Sequence, residues 1–155
     1  MSLTARLRTF ASLPSGERGL ALRAVLVMLG VQVGLRTMPF PRVRRFVDRL
    51  TRGRRADSDA TAARAVRRAV DRAARTLPGS ACLAQALTAE LLLRGDGYEA
   101  RLSLGVAPGA PTERLPLDAH AWLESGGVVV TGEVEHLDAY RTLAVFGTSV
   151  DGEIH

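Results

Sequence analysis

The chain of 155 residues holds one cysteine, Cys82, and three histidines, His120, His136 and His155. A thiol attacks as its thiolate, and neutral imidazole is the side chain best matched to taking a thiol proton near pH 7. Cys82 stands two positions after Ser80, a residue type suited to an N-cap, at the head of the helix predicted over Ala81–Arg94. In a first turn, free amide N–H groups and the positive end of the helix dipole stabilise thiolate over thiol. The plainer reading is a small core residue, because free cysteine is among the most buried residue types. His120 lies in LDAHAWLE, on a predicted strand entering a tight hairpin. A cysteine at a helix start followed by a strand histidine is an order suited to a nucleophile and its general base.

Such a base needs a third group on its other ring nitrogen. A hairpin turning about Gly126 sets His120 opposite Gly132 and Glu133, so Glu133 can reach the ring from the neighbouring strand. Asp118, two residues before His120 on the same face, is the second candidate, and Glu124 near the turn reads as a solvated charge. The oxyanion hole would use the amide of Cys82 or its neighbour, with the Gln85 side chain as an optional further donor. Trp122 shares the face of His120 and reads as a shield against water. His136 and His155 have no regular spacing to His120 and no carboxylate cluster, so neither a metal site nor a cofactor is expected. No glycine-rich phosphate loop is present.

The positioning elements follow from periodicity. The apolar run Gly19–Leu35 is shorter than the roughly 20 residues of a membrane span and contains Arg23. It reads as a helix buried against the protein or facing a partner, with membrane contact as the alternative; no signal peptide is expected. MPFP ends it, and a second helix begins at Pro41 with Val43, Phe46, Val47 and Leu50 at apolar spacing. Ser58 or Asp59 caps a third helix running to about Thr76. After the helix that carries Cys82, strands are predicted over Tyr98–Ala107, Leu117–Glu124 and Val128–Glu133, the last two joined by Ser125-Gly126-Gly127. A final segment, Leu137–Phe146, is expected to return to the core through Leu143, Val145 and Phe146.

This is an α+β chain in two sections: an Arg-rich helical extension over residues 1–77 and a core over 78–155. Residues 1–80 hold 17 Arg against 5 acids, or +12, and residues 81–155 hold 4 Arg against 11 acids, or −7, giving the overall +5. All basic residues are Arg, Asn is absent and Ile occurs once, gaps that fit a GC-rich bacterial genome. A single cysteine excludes an internal disulfide and agrees with a reducing, cytoplasmic setting. The Arg-rich helices lack interleaved stacking aromatics, so nucleic acid is not an expected partner.

The stretch CLAQALTAELLLRGDGYEARLSLGVA, followed by LDAHAWLESGGVVVTGE, resembles the leader peptidases of lasso-peptide biosynthesis, over roughly Pro78 to Phe146. The basic apolar helix and Pro-Phe segment before Cys82 resemble that family's N-terminal extension. The resemblance implies a transglutaminase-like or papain-like cysteine-protease core with Cys82 as nucleophile and His120 as base. The family usually places an Asp after the hairpin; this chain has Thr131-Gly132-Glu133 there. The implied reaction removes the leader of a ribosomally made precursor, which a small separate recognition protein presents. An ATP-dependent lasso cyclase would act on the freed core.

Overall fold

The computed structural model describes residues 14–54, 57–108, 117–133 and 136–148. Among the described residues four helices precede and cover an antiparallel sheet: α1 (Ser15–Thr37), α2 (Phe40–Thr51), α3 (Ala60–Thr76) and α4 (Cys82–Gly95), then β1 (Ala100–Pro108), β2 (Leu117–Ser125), β3 (Val128–Thr131) and β4 (Arg141–Thr148). A 3-10 turn, Leu137–Ala139, leads into β4, and the strand order is β3-β2-β1-β4.

The centre is α4, whose Ala84, Ala86, Leu87, Thr88, Ala89, Glu90, Leu92, Leu93 and Arg94 are all buried. A short helix buried nearly all round is stable only when neighbours enclose it. Here α1, α2 and α3 pack on one side, and β1, β2 and β3 on the other. The hydrophobic cluster therefore runs unbroken from Ala24 and Met28 of α1 through Leu87 and Leu93 to Leu102, Leu123 and Val130 of the sheet. The helical and α+β sections thus share one core across the boundary at residues 77 and 78.

α1 runs from Ser15, four residues before the predicted Gly19, to Thr37. By length and composition it is apolar enough to cross a membrane, with a mean hydropathy of 1.5. It is two-faced: Ala21, Ala24, Met28 and Val31 are buried, while Leu22, Leu26, Leu29 and Val33 are exposed. α3 follows the prediction closely. Asp59 caps it by accepting from the amides of Thr61 at 2.7 Å and Ala62 at 3.2 Å, and Ala63, Val66, Ala69, Val70 and Ala73 form its buried stripe.

α2 corrects the expected apolar face. Val43 and Val47 are buried, but Phe46 and Leu50 are more than half exposed and Arg44 points inward. The reason lies in α4: Glu90, wholly buried, accepts from Arg44 Nη1 at 2.5 Å, Arg44 Nη2 at 2.7 Å and Arg94 Nη1 at 2.8 Å. Asp48 completes the network from the rim, accepting from Arg44 and Arg94. A buried carboxylate is tolerable only when paired and hydrogen-bonded, so the helix turns its arginine inward at the expense of an apolar contact. The planar Arg44 guanidinium also lies 5.4 Å from the centre of the Phe146 ring.

In the sheet, the β2–β3 turn at Gly126-Gly127 has φ of +55° and +72°, as a two-residue hairpin requires. A Cβ on Gly126 would stand 2.7 Å from the Ala60 nitrogen, so this turn seats the hairpin on the start of α3. β4 departs from the prediction: Leu143 and Val145 are exposed, and only Phe146 packs inward, edge-on to Phe40 with ring centres 5.8 Å apart. β4 is an edge strand covered on one face, so alternate residues point to solvent.

Two stability predictions follow from the ionic network. Glu90→Gln removes the buried counter-charge of two guanidinium groups, leaving them only Asp48 at the rim, and should cost about 3–5 kcal/mol in urea unfolding. Burial would raise the Asp48 pKa, but the hydrogen bonds from Arg44 and Arg94 outweigh it and hold the carboxyl below its ordinary value. The folded state then resists protonation, so the stabilisation is full above the ordinary carboxylate pKa and is lost as pH falls through the lowered value. Thermal melts of Asp48→Asn should show a lower Tm than wild type at pH 7, with the difference shrinking on acidification.

Candidate active site

Cys82 is the first residue of α4, half-buried and packed against the edge of the core. The N-cap is Ala81, not the expected Ser80. Ser80 is diverted into the preceding loop, where its hydroxyl donates to the Leu77 carbonyl at 2.9 Å and accepts from Gln32 Nε2 of α1 at 3.0 Å. Gln85, considered as an oxyanion donor, instead donates to the Ser80 carbonyl at 2.8 Å. The loop is thus held from both sides by glutamine amides, one on α1 and one on α4 itself. That fixes the chain entering the helix and leaves the first-turn amides around Cys82 pointing out of the helix end.

His120 lies on β2 opposite Gly105 of β1. Side chains alternate along a strand, and Ala121 and Leu123 enter the core shared with the helices. His120 and Trp122 therefore occupy the other face, where their rings stack with centres 6.4 Å apart. Tyr140, which the sequence reading missed, closes this cluster at 5.4 Å from the His120 ring and 6.4 Å from that of Trp122. Nothing in its local sequence marks Tyr140, since the 3-10 turn before β4 is what delivers it. Trp122 is buried, and the far edge of its indole lies against Gly105. A Cβ there would come within 2.9 Å of Trp122 Cη2 and Cζ3.

His120 Nε2 stands 2.8 Å from the Gly132 carbonyl oxygen. Glu133, the acid expected to orient the ring, is paired with Arg67 of α3, which also donates to the Val129 carbonyl at 3.0 Å. The hairpin explains the difference. Ser125 pairs with Val128 and Glu124 with Val129, but Leu123 pairs with Thr131, so Val130 is an extra residue. Without that bulge Glu133 would stand opposite His120 on the same face. One inserted residue moves it to the opposite face, toward the helices, where Arg67 binds it. Asp118 lies on β2 opposite Ala107. His136 is exposed at the start of the 3-10 turn, and His155 lies outside the described residues. Among the described residues no hydrogen bond joins the Cys82 thiol to His120, and no group of three His, Cys, Asp or Glu forms a metal cradle.

Residues 25–145 match a known family model, that of the transglutaminase-like superfamily. The chain belongs to the transglutaminase-like superfamily. The match begins inside α1, so the helices packed on α4 are part of the domain as the family defines it. The superfamily includes cysteine proteases as well as non-catalytic members. No curated protein and no solved structure matches the chain significantly.

Trp122 is the chain's single tryptophan, so its emission reports this cluster directly. Gly105→Val should displace the indole from the sheet and shift its fluorescence to longer wavelength. An unchanged spectrum in a folded variant would contradict the packing of Trp122 on Gly105.

Proposed function

We propose that this protein is a cysteine peptidase that removes the leader from a ribosomally made lasso-peptide precursor. The observation that carries the reading is the position of Cys82, the chain's one thiol, at the opening turn of the buried helix of a transglutaminase-like domain. The residues on either side of it resemble the leader peptidases of this class.

The thiolate of Cys82 attacks the carbonyl carbon at the leader–core junction, and first-turn amides receive the developing oxyanion. His120 takes the thiol proton and returns it to the leaving amine as the peptide C–N bond breaks. Water then hydrolyses the thioester, releasing the leader carboxylate and regenerating the thiol. Trp122 and Tyr140 limit water around the imidazole, which strengthens the electrostatic interactions made there. A separate recognition protein presents the leader, the lasso cyclase takes the product, and the reaction runs in the cytoplasm, where the thiol stays reduced.

A non-catalytic adaptor is the competing reading, and the lack of a hydrogen bond between Cys82 and His120 favours it. His120 also lies on the sheet face turned away from the core that α4 shares, so the peptidase reading requires the ring and the thiol to be brought together when substrate binds. Mass spectrometry separates the two after incubation with a lasso precursor peptide and its recognition protein. The peptidase yields free leader and core, loses cleavage completely in Cys82→Ala, and loses nearly as much in His120→Ala. An adaptor leaves the precursor intact, supports maturation equally well as Cys82→Ser, and forms no adduct with a thiol-reactive leader analogue.

A further inference from the structure

We infer that the backbone carbonyl of Gly132 stands where a third catalytic side chain would, holding His120 as its Nε2–H tautomer and leaving Nδ1 as the ring's lone-pair nitrogen. This rests on the peptidase reading for its chemistry, but the tautomer itself is a property of the resting protein.

A carbonyl oxygen can only accept, so the 2.8 Å contact places the proton of a neutral His120 ring on Nε2. Nδ1 is then the lone-pair nitrogen and the base. When the S–H bond breaks and an Nδ1–H bond forms, the ring becomes an imidazolium whose Nε2–H still donates to Gly132. That bond becomes charge-assisted and strengthens, which is what an orienting third member contributes. Gly132 is accordingly a positioning residue, acting through its main chain.

Three observations explain why a glycine carbonyl occupies this place. Gly132 has φ of +75°, a backbone conformation that residues with a Cβ rarely adopt. A Cβ there would collide with the Ala121 carbonyl oxygen and stand 2.9 Å from Trp122 Cα and Cβ, so a side chain would push the peptide away from β2 and its carbonyl away from His120. The bulge at Val130 and the ion pair to Arg67 hold the neighbouring carboxylate of Glu133 elsewhere. Among the described residues, Tyr140, from the turn before β4, is a titratable side chain packed against the ring.

The test uses the full chain labelled with 15N-histidine, above the pH at which His120 protonates, with His120→Gln assigning its signals against those of His136 and His155. Long-range 1H–15N spectra should show a protonated Nε2 and an unprotonated Nδ1. A predominant Nδ1–H tautomer, or an even mixture, overturns the proposal. Glu133→Gln and Asp118→Asn should leave both the His120 shifts and the pH profile of Cys82 alkylation by iodoacetamide unchanged. A change in either readout makes an acid the orienting group and also overturns it. Gly132→Ala should lose the Nε2–H preference, with Trp122 emission reporting folding; retention of the preference in a folded variant refutes the role of Gly132. If Gly132→Ala does not fold, the wild-type tautomer and the two acid variants decide. A wild-type Nε2–H tautomer in a protein that never cleaves precursor would sink the peptidase reading and leave the assignment at Gly132 standing.

Discussion

The structure depends on the burial of α4. A helix that opens on the chain's one thiol is enclosed by three helices and three strands, and at its middle it carries Glu90, a carboxylate with no exposure to water. An isolated charge in such a place would be prohibitively costly. Arg44 and Arg94 must therefore reach it, and Arg44 comes from α2, forty-six residues earlier. That requirement orients α2, exposes Phe46 and Leu50, places the guanidinium beside Phe146, and ties the edge strand to the helical layer. The basic section is thus part of the domain, and several of its arginines serve the acids of α4, its C-cap and the strand end: Arg44 for Glu90, Arg23 for Asp96 and Arg67 for Glu133. The exposed pairs contribute little individually; the buried one specifies how the layers meet.

Around Cys82 the structure invests in backbone placement. Two glutamine amides hold the loop ahead of the thiol, and the helix supplies first-turn amides by its geometry. Around His120 it uses aromatic packing and one main-chain acceptor. Among the described residues, neither half shows an extended network of charged side chains, in contrast to the ionic cluster deeper in the fold. Such an arrangement holds the ring through packing, with Gly105 making room for the indole and Gly132 for the carbonyl.

Much of the fold was legible in sequence. The alternation of Ala100, Leu102 and Leu104, the Gly126-Gly127 turn and the Asp59 cap all express local rules, and the structure follows them. The transglutaminase-like α+β class was legible through the family resemblance of the residues around Cys82 and His120. Where the reading failed, a distant group competed with a local preference. Ser80 has the chemistry of an N-cap but lies beside Gln32, and Phe46 has helical apolar spacing but yields its place to Arg44. Leu143 and Val145 have strand-like character but lie on an uncovered face.

By itself the sequence determined the inventory and its order: one thiol at a helix start, a histidine and a tryptophan on one strand face, and a glycine and a glutamate after the hairpin. Periodicity and cap chemistry act over a few residues, which is why they can be read in one dimension. Which atom meets His120 was decided only in the tertiary structure. One extra residue at Val130 exchanges the faces of everything after it, and an arginine from a helix more than sixty residues away then binds the carboxylate. The Gly132 carbonyl is left against the ring, and its position depends on that bulge, on a positive φ and on close approach to β2.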